Sequence, residues 1–137
     1  MTSNPRSVGT TDSVVQAARL MRDEHVGSLP VVEDGRLIGM ITDRDIAIRI
    51  VAEGADPDSV TVGDVASRRV VTVEPDQDID EARRLMAQHQ VRRLPVVEGD
   101  ELVGILAQAD LTREEDAEQV GEMVEAISEP SNAERRV

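Results

Sequence analysis

Aromatic side chains are missing altogether: the 137 residues contain no Phe, Tyr or Trp. That removes base stacking on rings, the usual device for holding single-stranded nucleic acid. It also leaves Val, Leu, Ile, Met and Ala to build any core. Cysteine is absent, which excludes disulfides and Cys-ligated zinc or iron–sulfur centres and leaves the redox compartment open. Lysine is absent as well, so there is no P-loop and all 15 permanent cations are arginine. Positive charge is in short supply, with a formal net charge of -13. This argues against nucleic acid and against anionic membranes, both of which call for a basic surface. No apolar run is long enough to span a bilayer, and the opening M-T-S-N-P-R-S lacks the pattern of a signal peptide. A cytoplasmic protein is the expectation. No nucleophile–base pair and no metal-ligand spacing stands out, so the chain does not read as an enzyme.

What the chain does contain is a second copy of itself. Residues 26–33 read V-G-S-L-P-V-V-E and residues 91–98 read V-R-R-L-P-V-V-E, 65 positions later. The register holds without a gap from Thr11 and Asp76 to Ile46 and Leu111. Arg19-Leu20-Met21 match Arg84-Leu85-Met86, Gly39 matches Gly104, and Asp45 matches Asp110. A unit of roughly 60 residues is marginally stable alone, so the two copies are expected to share a core as one pseudo-two-fold module.

Each copy predicts the same order of elements. Apolar residues at Val14, Ala17, Ala18 and Met21 have helical spacing, with Thr11 or Asp12 as the cap. Ile79, Ala82, Leu85 and Met86 repeat the pattern. Two short apolar runs follow, at 29–32 and 37–41, with Asp34-Gly35 as a hairpin turn. The equivalent runs are 94–97 and 102–106. A helix is predicted from Thr42 to about Glu53, stopped by Gly54. Residues 55–69 read as a connector carrying T-V-G-D-V as a lead-in to the second copy, and 70–73 as its opening strand. The acidic stretch after Leu111 has an apolar stripe, Val120, Met123, Val124 and Ile127, that predicts a closing helix before a frayed tail. The expected organisation is therefore a first motif at 5–54, a connector at 55–69, a second motif with its closing helix at 70–127, and a tail at 128–137.

This order, β-α-β-β-α twice over, with L-P-V-V followed by G-x-x-T-x-x-D, resembles the CBS domain family, named after cystathionine β-synthase. The residues that carry the resemblance are V-G-S-L-P-V-V and L-I-G-M-I-T-D-R-D-I, then V-R-R-L-P-V-V and L-V-G-I-L-A-Q-A-D-L. They cover nearly the whole chain. The resemblance implies an α/β fold (α+β-like), a free-standing tandem pair of the prokaryotic type called a Bateman module, and two clefts between the motifs. Each cleft would be able to hold an adenosine-containing ligand. It also implies a homodimer, since such modules commonly assemble as a disc of four motifs.

Carried onto this sequence, the resemblance assigns the ribose hydroxyls to Asp45 with Thr42 as the neighbouring hydroxyl. The base would lie against Val26, Leu29, Pro30 and Val31, with Val8 or Thr10 from the entry strand. Arg44, Arg92 and Arg93 are the expected phosphate contacts. A weaker second site would use Asp110, Val91, Leu94 and Pro95, because Ala107 stands where Thr42 would be and Ala109 where Arg44 would be. The same residues have simpler roles open to them: Thr42 and Asp43 suit any helix start, the Leu and Val residues suit a core, and the arginines suit a surface. His25 and His89 have no metal-ligand pattern. The function so read is regulatory binding of AMP, ADP, ATP or S-adenosylmethionine, with no cofactor required. The alternative is a structural or protein-interaction module with empty clefts and an unidentified protein partner.

Overall fold

The computed structural model describes residues 5–109, 111 and 119–121. The expected closing helix, apart from residues 119–121, lies outside the described residues, as do the tail and Asp110. The fold is mixed α/β, and the chain divides into two units, Arg6–Val70 and the residues from Val71 onward.

The first unit runs β1 (Val8–Gly9), α1 (Val14–Glu24), β2 (Ser28–Glu33), β3 (Arg36–Thr42) and α2 (Asp43–Ile46), then a π-helical turn (Ala47–Val51), a 3-10 turn (Pro57–Ser59) and α3 (Val62–Val65). Strand β1 pairs in parallel with β2, Val8 opposite Val31, and β2 pairs antiparallel with β3, Leu29 opposite Ile41. Asp34 and Gly35 both have positive φ, 53° and 78°, which the two-residue hairpin turn requires. Side chains alternate along a strand. Leu29, Val31 and Ile41 therefore meet Val14, Ala17 and Met21 of α1 in one aliphatic core.

The cap of helix α1 lies two residues after the first of the caps read from sequence. Ser13 is the cap: its Oγ accepts from the Gln16 N–H at 3.1 Å, and Gln16 Oε1 accepts from the Ser13 N–H at 2.8 Å. Asp12 is occupied elsewhere, accepting from the Gly9 N–H at 2.8 Å to close the turn before the helix. Replacing Ser13 with alanine is expected to cost about 1 kcal/mol, read as a lower urea midpoint with an unchanged slope.

The helix expected up to Glu53 is α-helical only to Ile46. It then widens into the π turn, where the Ala52 N–H donates to the Ala47 carbonyl at 2.9 Å. This winding buries Ile50 and turns Ile48 and Val51 outward, while the Arg49 guanidinium donates to the Val65 carbonyl at 3.1 Å. Gly54 ends the segment with φ 67°, as its sequence position predicts.

Residues 60–66 correct the reading of the connector. They hydrogen-bond back to the first unit rather than leading into the second. The Val62 N–H donates to the Asp12 carbonyl at 2.8 Å and the Gly63 N–H to the Thr10 carbonyl at 2.9 Å. Val62 and Val65 are buried in the first core, with Val60 and Ala66 packed against it. Asp64 accepts from the Thr61 N–H at 3.1 Å, and this bond, followed by one from the Thr61 hydroxyl, holds its carboxyl below the ordinary value.

The second unit is built from α4 (Ile79–His89), β4 (Arg93–Glu98) and β5 (Glu101–Ala107). Leu94 lies opposite Leu106 as Leu29 lies opposite Ile41. The expected strand at 70–73 shrinks to a single bridge, Val73 in parallel with Val96. Beyond Val73 the pairing does not continue, because the Glu74 N–H turns to Gln77 Oε1 at 2.7 Å and Pro75 has no N–H to offer. Leu94, Val96 and Leu106 meet Ile79, Ala82 and Met86 in a second aliphatic core. Val120 is fully buried in it, and its N–H donates to the Gln77 carbonyl at 2.9 Å while the Gly121 N–H donates to the Pro75 carbonyl at 2.8 Å. These two bonds repeat those of Val62 and Gly63. Val62-Gly63 and Val120-Gly121 thus make the same closing contacts, spaced by 58 rather than 65 residues.

Candidate functional site

At the end of β3 the chain turns into α2 over T-D-R-D. Thr42 is extended, with φ -119° and ψ 161°, and caps the helix. The Asp45 N–H donates to Thr42 Oγ1 at 3.0 Å, and the Thr42 N–H donates to Asp45 Oδ2 at 3.0 Å. Each residue fixes the other, which locks the carboxylate's rotamer. The pair is half-buried, and among the described residues the Thr42 hydroxyl proton and Asp45 Oδ1 have no partner. The arrangement offers one hydroxyl donor and one carboxylate acceptor, held together and open to a ligand diol.

Around this pair the sequence-predicted residues separate into two groups. Leu29 and Val31, 2% and 0% exposed, have their side chains in the core. Val8 is also buried, paired with Val31. Pro30 is buried as well, on the other face of β2, opposite Met40. Val26 keeps accessible surface, half-buried after α1; Thr10 does too, but its hydroxyl donates to Glu33 Oε1 at 3.3 Å, at the far end of β2 from Ser28 and its register partner Thr42, so the fold does not bring it to the pair. Arg44 is exposed and its backbone N–H donates to Asp43 Oδ1 at 2.8 Å.

Asp43 was not singled out by the sequence reading. Its N–H donates to the Gly27 carbonyl at 2.9 Å, and its carboxylate lies against Gly27, where an added Cβ would stand 2.9 Å from Oδ2. The juxtaposition of G-S with T-D-R-D across one hairpin is the available signal, because Ser28 and Thr42 are register partners.

In the second unit the Gln108 N–H donates to the Arg92 carbonyl at 2.7 Å, keeping the bond that Asp43 makes to Gly27. Arg92 is exposed, Arg93 half-buried and opposite Ala107 in the β4–β5 register. Ala107 offers no hydroxyl. Leu94 and Pro95 are buried, Val91 is 36% exposed, and Asp110 lies outside the described residues. His25 takes the left-handed position ending α1 and His89 sits in the last turn of α4. Among the described residues no group of three or more His, Asp or Glu side chains is placed to share a metal ion. No described helix is long and apolar enough to cross a membrane.

The profile of the CBS domain matches residues 1–52 and 62–116, once for each repeat. The chain belongs to the CBS domain family. Among CBS relatives, the CBS domain-containing protein YhcV of Bacillus subtilis is 46% identical over 111 residues, covering 81% of this chain and 79% of YhcV. Hypoxic response protein 1 of Mycobacterium tuberculosis is 38% identical over 131 residues, 95% of this chain and 92% of the relative. A crystal structure of Hypoxic Response Protein I with two coordinated zinc ions superposes with a TM-score of 0.74 at 40% identity, over 83% of this chain and 94% of that one. The CBS domain pair of protein MJ0100, solved in complex with 5'-methylthioadenosine and S-adenosyl-L-methionine, gives a TM-score of 0.70 at 27% identity, over 82% and 92%. The matched segments account for both CBS motifs. The second begins at residue 62, inside the stretch that hydrogen-bonds back to the first unit.

Proposed function

We propose that this CBS pair is a regulatory binding module whose first motif holds an adenosine-containing ligand: AMP, ADP, ATP or S-adenosylmethionine. The observation that carries the reading is the reciprocal Thr42–Asp45 pair, which leaves a fixed carboxylate oxygen and a hydroxyl for a ribose. Val26 supplies accessible surface for the base at this end of β2. Leu29, Val31 and Val8 back the strands from the core side and Pro30 from the other, and Thr10, at the far end of β2, stays outside the seat. Arg44 is the cation of the first unit's turn available to a phosphorylated ligand, and Arg92 and Arg93 are those at the equivalent hairpin of the second unit. The occupied MJ0100 pair supports the ligand class. The module needs no cofactor, carries out no reaction of its own, works as a cytoplasmic homodimer, and acts on a protein partner by binding its ligand more tightly in one of two states.

The loss of the hydroxyl at Ala107 and of the cation at Ala109 favours a second reading for the second motif: a structural half whose site, built on Asp110, Val91, Leu94 and Pro95, stays empty.

Thermal unfolding with each ligand tests both. At 100-fold over its dissociation constant a ligand is expected to stabilise the protein by about 2.7 kcal/mol. Asp45→Asn keeps an acceptor for the Thr42 N–H but removes the charge, and is expected to weaken binding at least tenfold with little change in the unliganded midpoint. No stabilisation by any of the four ligands, or equal stabilisation of the variant, overturns the reading.

A further inference from the structure

The two hairpins close on the same two residue types in opposite order. In the first, Asp34-Gly35 fill the turn with φ 53° and 78°. In the second the turn is Gly99-Asp100, and of these only Gly99, with φ 62°, is left-handed. Asp34 is the one aspartate of the sequence that is followed by glycine. Glu33, Asp34, Gly35 and Arg36 are all exposed, and a Cβ added to Gly35 would meet nothing within 4 Å. Among the described residues the Asp34 carboxylate has no hydrogen bond or ion pair, and the Gly35 N–H donates to nothing. Asp12, Asp45, Asp56 and Asp64, by contrast, accept from backbone N–H groups.

We propose that Asp34 is a modification site, where the chain converts spontaneously to isoaspartate. The Gly35 nitrogen attacks Asp34 Cγ. The protonated carboxyl gives up its hydroxyl, which leaves as water with the amide proton, and a five-membered imide closes. Water then adds at the former Asp34 backbone carbonyl and breaks its bond to nitrogen. The main chain now runs through Cβ and Cγ, and the freed carboxylate hangs from Cα. One water leaves and one enters, so no oxidant or cofactor takes part. Three features of the turn favour this course. Glycine sets no side chain over the attacking nitrogen. No hydrogen bond has to break to release that nitrogen. The left-handed backbone is costly for a residue with a Cβ, and the product escapes the cost through its extra rotatable bond. At Asp100 the attacking nitrogen would be that of Glu101, which carries a side chain and lies in the β4–β5 ladder opposite Glu98. Freeing such a nitrogen from its ladder bond slows the attack about five- to tenfold. Isoaspartate also lengthens a two-residue turn whose length sets the strand register, so the Glu33–Arg36 pair that closes β2 on β3 is lost.

Ageing the full chain at physiological pH and temperature tests this. Tryptic peptides 23–36 and 94–113 are followed by chromatography, by labelling with an isoaspartyl carboxyl methyltransferase, and by fragmentation that places the label. The first peptide is expected to acquire an isomer of unchanged mass at Asp34, at least about fivefold faster than the second acquires one at Asp100. Asp34→Gly combined with Gly35→Asp gives the turn the order of the second hairpin and is expected to abolish the product. Gly35→Ala keeps Asp34 and is expected to slow its conversion about fivefold or more, through the side chain beside the nitrogen. Isoaspartate that forms equally fast at Asp34 and Asp100 overturns the assignment. So does a Gly35→Ala variant that converts at the wild-type rate, or an aged chain with no isoaspartate in the first peptide.

Discussion

Gly39→Ala is expected to destabilise the first unit by about 3 kcal/mol, the combined cost of overpacking and of two strained hydrogen bonds. Gly39 is buried in β3, and a Cβ on it would run into the Ser67 carbonyl oxygen and stand 3.2 Å from the carbonyl carbon. Neither atom belongs to a side chain that can rotate away. That carbonyl accepts from the Met40 N–H at 2.9 Å, and the Ser67 N–H donates to the Met40 carbonyl at 2.9 Å. Making room for a methyl group therefore stretches both bonds of the pair and lifts residues 66–68 off the strand. Gly35→Ala is the control. Gly35 has φ 78° and nothing within 4 Å, so alanine there meets only backbone strain of about 1 kcal/mol. Urea denaturation of the two variants decides the matter, and a Gly39 variant no less stable than the Gly35 variant would refute the steric account.

The second large effect is shared by equivalent positions of the two repeats. Leu29→Ala and Leu94→Ala are each expected to cost about 3 kcal/mol, within the usual range of about 2–5 kcal/mol for buried leucines. The two side chains are 2% and 0% exposed, each in the middle of a core made only of Val, Ile, Leu, Met and Ala. Short branched residues reach poorly across a cavity, and no ring is available to swing into it, so the space left behind stays largely open. Ile48→Ala, at a side chain 50% exposed, is expected to change stability by no more than about 0.5 kcal/mol. The comparison uses equilibrium unfolding of all three variants, and a leucine variant that behaves like Ile48→Ala would mean that its core refills.

Much of this was legible in the sequence because a repeat states its pattern twice. The hairpins, the two long helices and the Thr42–Asp45 pair all lie inside the ungapped register from Thr11 to Leu111, where matching apolar positions reinforce one another. What escaped lies partly at its edges and partly in features that only the folded hairpin sets. The cap of α1 was ambiguous because Thr11, Asp12 and Ser13 are all good caps, and only the Gly9–Asp12 bond leaves the role to Ser13. The π turn is invisible to a periodicity argument, since one extra residue in a turn disturbs the pattern no more than a helix end does. The side of β2 that faces the core could not be read from L-P-V-V, a run with no polar residue to break the tie. The resemblance alone sets Leu29 and Val31 against a base, and their side chains pack inward, the other role the sequence leaves open to them. Asp43 was passed over because its neighbour Gly27 comes close only once the hairpin has formed.

The closing element escaped for a different reason, and its spacing has a consequence of its own. Between Asp45 and Val62 the first copy holds seven more residues than the second holds between Asp110 and Val120. The bonds made by Val62 and Gly63 are nevertheless those of Val120 and Gly121. One duplicated design therefore accommodates connections of two lengths without changing the bonds at their ends, as loop-closure entropy, which grows only slowly with length, allows. Residues 56–59, which include the Pro57–Ser59 turn, are the exposed part of this longer connection, between Ala55 and Val60, which pack against the first core. That makes it the rational point to graft a reporter or a binding peptide, with both hydrophobic cores left as they are.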